Sequence, residues 1–231
     1  MQVNEAIMSA ETRLRDTFEQ DVGHELNVAD AAATLLMTVA GSVGERTGRI
    51  DVDANGVPTG GDVAMLQLFA MQLMGMRAFR VVRAARAVLE CGYEAESRSN
   101  DRILVELLEH RRAILEDSSG AETKAWIEGS RSHGIGKRVA EQSPEDLYFN
   151  LCMDSHGDPR PIARLQDPET GEINAEPKRT PATRASLLMH AGFARDMAVV
   201  IAGLAALELG GVDELDAAIN DGWARLEADA G

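Results

Sequence analysis

The chain has 231 residues, 45% hydrophobic but only 4% aromatic, so a sizeable core must be built mainly from Leu, Ala, Val, Ile and Met. That mixture favours helices, Ala and Leu above all. A formal net charge of −15 disfavours sequence-independent nucleic-acid binding without closing off a local basic groove, and two distant cysteines, Cys91 and Cys152, give neither a disulfide framework nor a zinc-finger pattern.

From Asn4 to about Val22, Ile7, Met8, Leu14 and Phe18 fall at helical spacings. A break is expected near Gly23–Asn27. A second helix then starts near Asp30 and carries Ala31, Leu35, Leu36, Val39 and Val43 on one face. Residues 49–61, rich in Gly and Asp, read as a long loop. Asp62 is a fitting N-cap for the longest helical stretch, Val63 to about Cys91. The chain pauses at Gly92 and is expected to resume as helix from about Ser99 to Glu116, with Ser99 and Asn100 as cap candidates. Ala121–Glu128 reads as a short helix. Ser143-Pro144-Glu145-Asp146 is a strong helix start, opening a segment with Tyr148, Leu151 and Cys152.

The stretch 157–181 holds five prolines. Within it, 162–165 and 172–174 flank a turn-like 167–171, which suggests a hairpin-like excursion near 158–180. Helix resumes at Pro181 or Thr183 and runs to about Leu209. Val212–Ala228 forms a last amphipathic helix. The expected fold is all-α, a single domain over 1–231: one helical bundle of about seven or eight helices.

Asp154-Ser155-His156-Gly157-Asp158 has the residue types of a divalent metal site. It lacks the strand and downstream segments of a metallophosphoesterase, so the plainer reading is a helix end ordering the proline-rich loop. The Gly-rich run ending at Lys137 has the wrong register for a phosphate loop. No metal and no cofactor are expected.

Arg77, Arg80, Arg83 and Arg86 step round their helix by about 60° each, so they form no single ridge. Arg83, Arg86 and Glu90 do share a face, and Arg86–Glu90 is an i,i+4 pair. Guanidinium groups so placed suit a phosphate or carboxylate ligand; the plainer reading is a solvated, charge-alternating face.

Arg184-Ala-Ser-Leu-Leu-Met-His190 matches Arg-x(4–6)-His and so resembles the ribonuclease signature of the HEPN superfamily, a group of small helical bundles. The resemblance implies that Arg184 and His190, as catalytic residues, converge with a partner protomer's pair on a scissile phosphate. Read from the residues alone, both are structural. The middle third of the chain, roughly Arg83 to Pro161, also resembles uncharacterised all-helical bacterial proteins, some of them near toxin or phage-defence functions. That resemblance implies a polar cluster of Arg83, Glu90, Tyr148 and His156.

No basic-then-apolar run opens the sequence, and Met197–Leu207 reads as too short to cross a bilayer. The expectation is a cytoplasmic protein acting as a protein-interaction or small-ligand-binding module, with an unknown protein partner or small ligand and no membrane. Gly203, Ala205 and Ala206 suit a homodimer seam. The alternative is a HEPN-like nuclease or other phosphate-directed enzyme.

Overall fold

Apolar side chains recurring every three or four residues account for the helices of the computed structural model, which describes residues 3–47, 51, 53–54, 59–129, 139, 177, 179–209, 217, 220–222, 224 and 228. Among the described residues five helices have both ends defined, residues 139, 217, 220–222, 224 and 228 are also helical, and no strand occurs. The all-α expectation is met. The Tyr148 helix, the metal-like 154–158 run and the 162–174 excursion lie outside them.

In α1 (Val3–Thr47), Phe18, Val22, Leu26, Ala29, Leu36 and Val43 are all buried along one face. The break expected at Gly23–Asn27 is a kink instead. Val22 leaves helical backbone (φ −136°, ψ 25°), and helix continues on its far side. A β-branched residue followed by Gly is a weak point in a helix. Burial of Val22 and Leu26 keeps both halves on one core.

Asp62 caps α2 (Val63–Glu90) as expected, its carboxylate accepting the Met65 N–H at 2.9 Å. The helix ends in a Schellman motif: the Gly92 N–H donates to the Leu89 carbonyl and the Tyr93 N–H to that of Val88. Gly92 sits at φ +84°, a backbone that Gly alone adopts cheaply. The chain therefore reverses in three residues, Cys91 to Tyr93, and α3 (Glu94–Glu116) starts at Glu94 rather than Ser99. Ser99 and Asn100 lie inside the helix and cap nothing. Glu94 and Glu96 instead place negative charge on its first turn, where the helix dipole favours it.

The short α4 (Ala121–Ile127) follows, with Thr123 buried. Helix α5 (Pro181–Leu209) begins with Pro at its first position, and the Thr180 hydroxyl accepts the Ala182 N–H at 3.1 Å.

Contacts fix the packing. Helix α2 runs antiparallel to α1, since Arg86 meets Asp30 while Gly75 lies against Leu36 and Ala40. It is also antiparallel to α3, where Gln67 Nε2 donates to the Ile114 carbonyl at 2.7 Å. Helix α5 lies parallel to both α1 and α3, with Arg184 near Glu25 and His190 against Asp101. The four long helices close a ring, and α2 also touches α5 across it. At Gly75 an added Cβ would lie 2.8 Å from Ile201 and 3.3 Å from Leu36. Three helices therefore meet at a residue without a side chain.

Glu5–Gly44 and Pro181–Glu208 are each long and apolar enough to cross a membrane, with 56% and 44% of their most apolar windows buried inside the bundle. This corrects the expectation that the second stretch is too short. The helix runs unbroken through Arg195 and Asp196, which the run beginning at Met197 left out.

Candidate functional site

Charged and hydroxylated side chains concentrate where the start of α1 meets the α2–α3 turn and the start of α5. Asp30, on α1, is the hub of one group. Both its oxygens lie 2.5 Å from Arg86 Nη1, and Arg83 Nη1 stands 4.0 Å away. Arg86 Nε also donates to Glu90 at 2.7 Å. Partial burial opposes the charge on Arg86, but its hydrogen bonds to Glu90 and Asp30 outweigh that and raise its pKa. Arg83, Arg86 and Glu90 are thus brought together, as the sequence suggested, around an aspartate it did not single out. The carboxylates neutralise the guanidinium groups and leave them poorly suited to a phosphate.

One turn further along, Arg15 Nη2 lies 3.0 Å from Cys91 Sγ, and the Tyr93 hydroxyl donates to Glu11. That hydrogen bond, with some desolvation, pushes the phenol up to about 12. Glu94 accepts from the Thr180 N–H at 2.7 Å, the Thr180 hydroxyl at 2.6 Å and the Thr183 hydroxyl. Arg179 reaches Asp21 and the Leu14 carbonyl, with its guanidinium 4.8 Å above the Phe18 ring. These contacts tie the start of α5 to α1 and α3 through side chains.

The structure does not bring Arg184 and His190 together. Arg184 is exposed, pairs with Glu25 at 3.2 Å and donates to the Asp21 carbonyl at 2.6 Å. His190 is fully buried against α3, its Nε2 2.6 Å from Asp101 Oδ1. Its Nδ1 and the Ser97 hydroxyl are buried without a hydrogen-bond partner. Tyr148 and His156 lie outside the described residues.

No family model, curated protein or solved structure matches this chain. Its own geometry carries the functional argument.

Among the described residues, no group of three or more His, Cys, Asp or Glu is arranged to hold a metal. A hollow beside Met8, Thr12 and Asp16 is open to solvent and lined, among the described residues, by α1. The outer surface of α5 has a different character. Leu187, Met197 and Ile201 are at most 1% exposed on its inner face, while Leu188, Val199 and Leu207 are 47%, 49% and 79% exposed on the other. A bundle helix ordinarily turns a polar face to water; this one exposes large apolar side chains there, on either side of Arg195 and Asp196.

Sequence reasoning missed Asp101 and Arg179, and placed Asp30 and Glu94 by helix position alone, without their partners. For Asp101 a signal existed: Ser97, Asp101, Leu104 and Leu107 share the buried face of α3. His190 likewise sits in register with Leu187, Ala194 and Met197 on α5. A lone acid on one apolar stripe and a lone imidazole on another imply each other, because neither is buried cheaply without a partner.

Proposed function

We propose that this chain is a cytoplasmic protein-interaction module that presents the outer face of α5 to a protein partner. The observation that carries the reading is the exposure of Leu188, Met189, Val199 and Leu207 on a helix whose opposite face is packed. The charges of the Asp30 cluster are mutually satisfied and His190 is closed from solvent, so both act in cohesion rather than chemistry. Residues 143–152 and 212–228 supply the further helices of a seven- or eight-helix bundle in this reading. Asp30, Arg195 and Asp196 within the two long apolar helices favour the cytoplasm, since ionised side chains are costly at the centre of a bilayer.

The phosphate-directed alternative has less support, because it requires the buried His190 to reach a substrate.

A photo-reactive residue in place of Val199, tested in cells beside the same residue in place of the exposed Arg112 of α3, measures the difference. Adducts of one defined mass at position 199 and none at 112 are expected. Absence of adducts at 199 overturns the reading. So does RNA or phosphoester hydrolysis by the purified chain that disappears in folded Arg184→Ala protein.

A further inference from the structure

Resting on that reading, we infer that the partner of α5 is a second copy of this chain, its α5 running antiparallel across the first about a two-fold axis between Arg195 and Asp196. The outer face presents Leu188, Gly192, Arg195, Asp196, Val199 and Gly203, spaced evenly on either side of that point. Antiparallel pairing sets Leu188 against Gly203 of the second copy, Val199 against Gly192, and Arg195 against Asp196. A large side chain meets a small one, and a cation meets an anion. The two-fold axis repeats each contact, as an isologous interface requires. Parallel pairing would place Leu188 on Leu188, Gly203 on Gly203 and Arg195 on Arg195.

The glycines leave room for such an approach. An added Cβ at Gly192 or Gly203 would meet nothing within 4 Å, so packing within the described chain does not call for either. Glycine weakens a helix relative to alanine. Its presence at these two positions, each opposite the larger residue of the pair, fits close approach by another surface. Arg195 and Asp196 are 47% and 51% exposed and lie within 3.1 Å of each other, so an alternating four-charge arrangement forms at the axis without burying a lone charge. The same two charges, in mid-stripe, disfavour a lipid surface as the occupant.

The test is sedimentation equilibrium of the full chain over micromolar concentrations. The natural chain is expected as a dimer. Arg195→Glu and Asp196→Arg should each weaken it at least about tenfold by setting like charges opposite each other. An equimolar mixture of the two variants should restore dimerisation, because each now supplies the charge that the other needs. Gly203→Leu should remain folded, as its side chain has room, and be monomeric. A monomeric natural chain, undiminished dimerisation in both charge variants, or no rescue on mixing overturns the inference. So does co-sedimentation of a monomeric chain with phosphatidylcholine vesicles. A monomer that still gives the adduct at position 199 to a different protein fails here while leaving the interaction reading intact; loss of that adduct ends both.

Discussion

His190 on α5 and Asp101 on α3 are joined by a 2.6 Å contact with both side chains closed to solvent. Alongside, Glu94 receives Thr180 and Thr183 one turn before Ser97, and Arg111 reaches Met197 Sδ further on. Partial burial lowers the pKa of Arg111, with Asp196 opposing that shift. The seam between these parallel helices thus carries polar side chains at Glu94, Asp101 and Arg111. An apolar seam tolerates sliding, whereas a buried pair is satisfied at one register and leaves two orphaned groups at any other.

His190→Ala is expected to destabilise the protein by about 3–5 kcal/mol, because it strands the Asp101 carboxylate in the core. Replacing both residues by Leu should recover most of that loss. Urea unfolding of His190→Leu, Asp101→Leu and the double variant measures the coupling. Additive losses would show that the two side chains act independently.

Asp30→Ala should cost about 1 kcal/mol, in keeping with a half-exposed ion pair that leaves Arg86 bound to Glu90. Arg86→Lys should not preserve the cluster, since a single ammonium cannot engage both carboxylates with the guanidinium's planar geometry. Thermal unfolding of the two variants at low and high salt separates charge from packing, and salt should narrow the difference between Asp30→Ala and the natural chain.

Tyr93 donates to Glu11, so the folded chain holds the phenolic proton more tightly than the unfolded chain, in which tyrosine ionises near 10. The contribution of this bond is therefore complete below about pH 10 and lost as pH rises through about 12. Ultraviolet titration of tyrosinate should show one late-ionising group that disappears in Tyr93→Phe. Glu11→Gln should return that ionisation toward pH 10. A late group persisting in Tyr93→Phe would assign the shift elsewhere.

Gly92→Ala forces a Cβ onto left-handed backbone between α2 and α3, and about 1–2 kcal/mol of stability should be lost. Gly41→Ala, on exposed helix with open space around its Cβ, is the control and should be neutral or stabilising. Equal effects at the two positions would argue against the Schellman geometry.

Local chemistry announced much of the fold. Apolar periodicity set out α2 and α5 nearly to their ends, and Asp62, Gly92 and Pro181 marked three boundaries through capping and backbone preferences that need no neighbour. The same local logic misplaced two others. Gly23 looked like a stop, but the buried faces of Val22 and Leu26 carry α1 through it as a kink; Ser99 looked like a start, but the three-residue reversal around Gly92 lets α3 begin earlier. The grouping of Arg83, Arg86 and Glu90 was legible because it follows from one helix's geometry. Their partner Asp30 lies 56 residues from Arg86, and Asp101 lies 89 from His190. Composition and periodicity determined that this chain would form helices and which face of each is apolar. Which polar residues are satisfied, and which apolar face is left uncovered, was decided by tertiary packing, because each depends on what a different helix brings within a few ångströms.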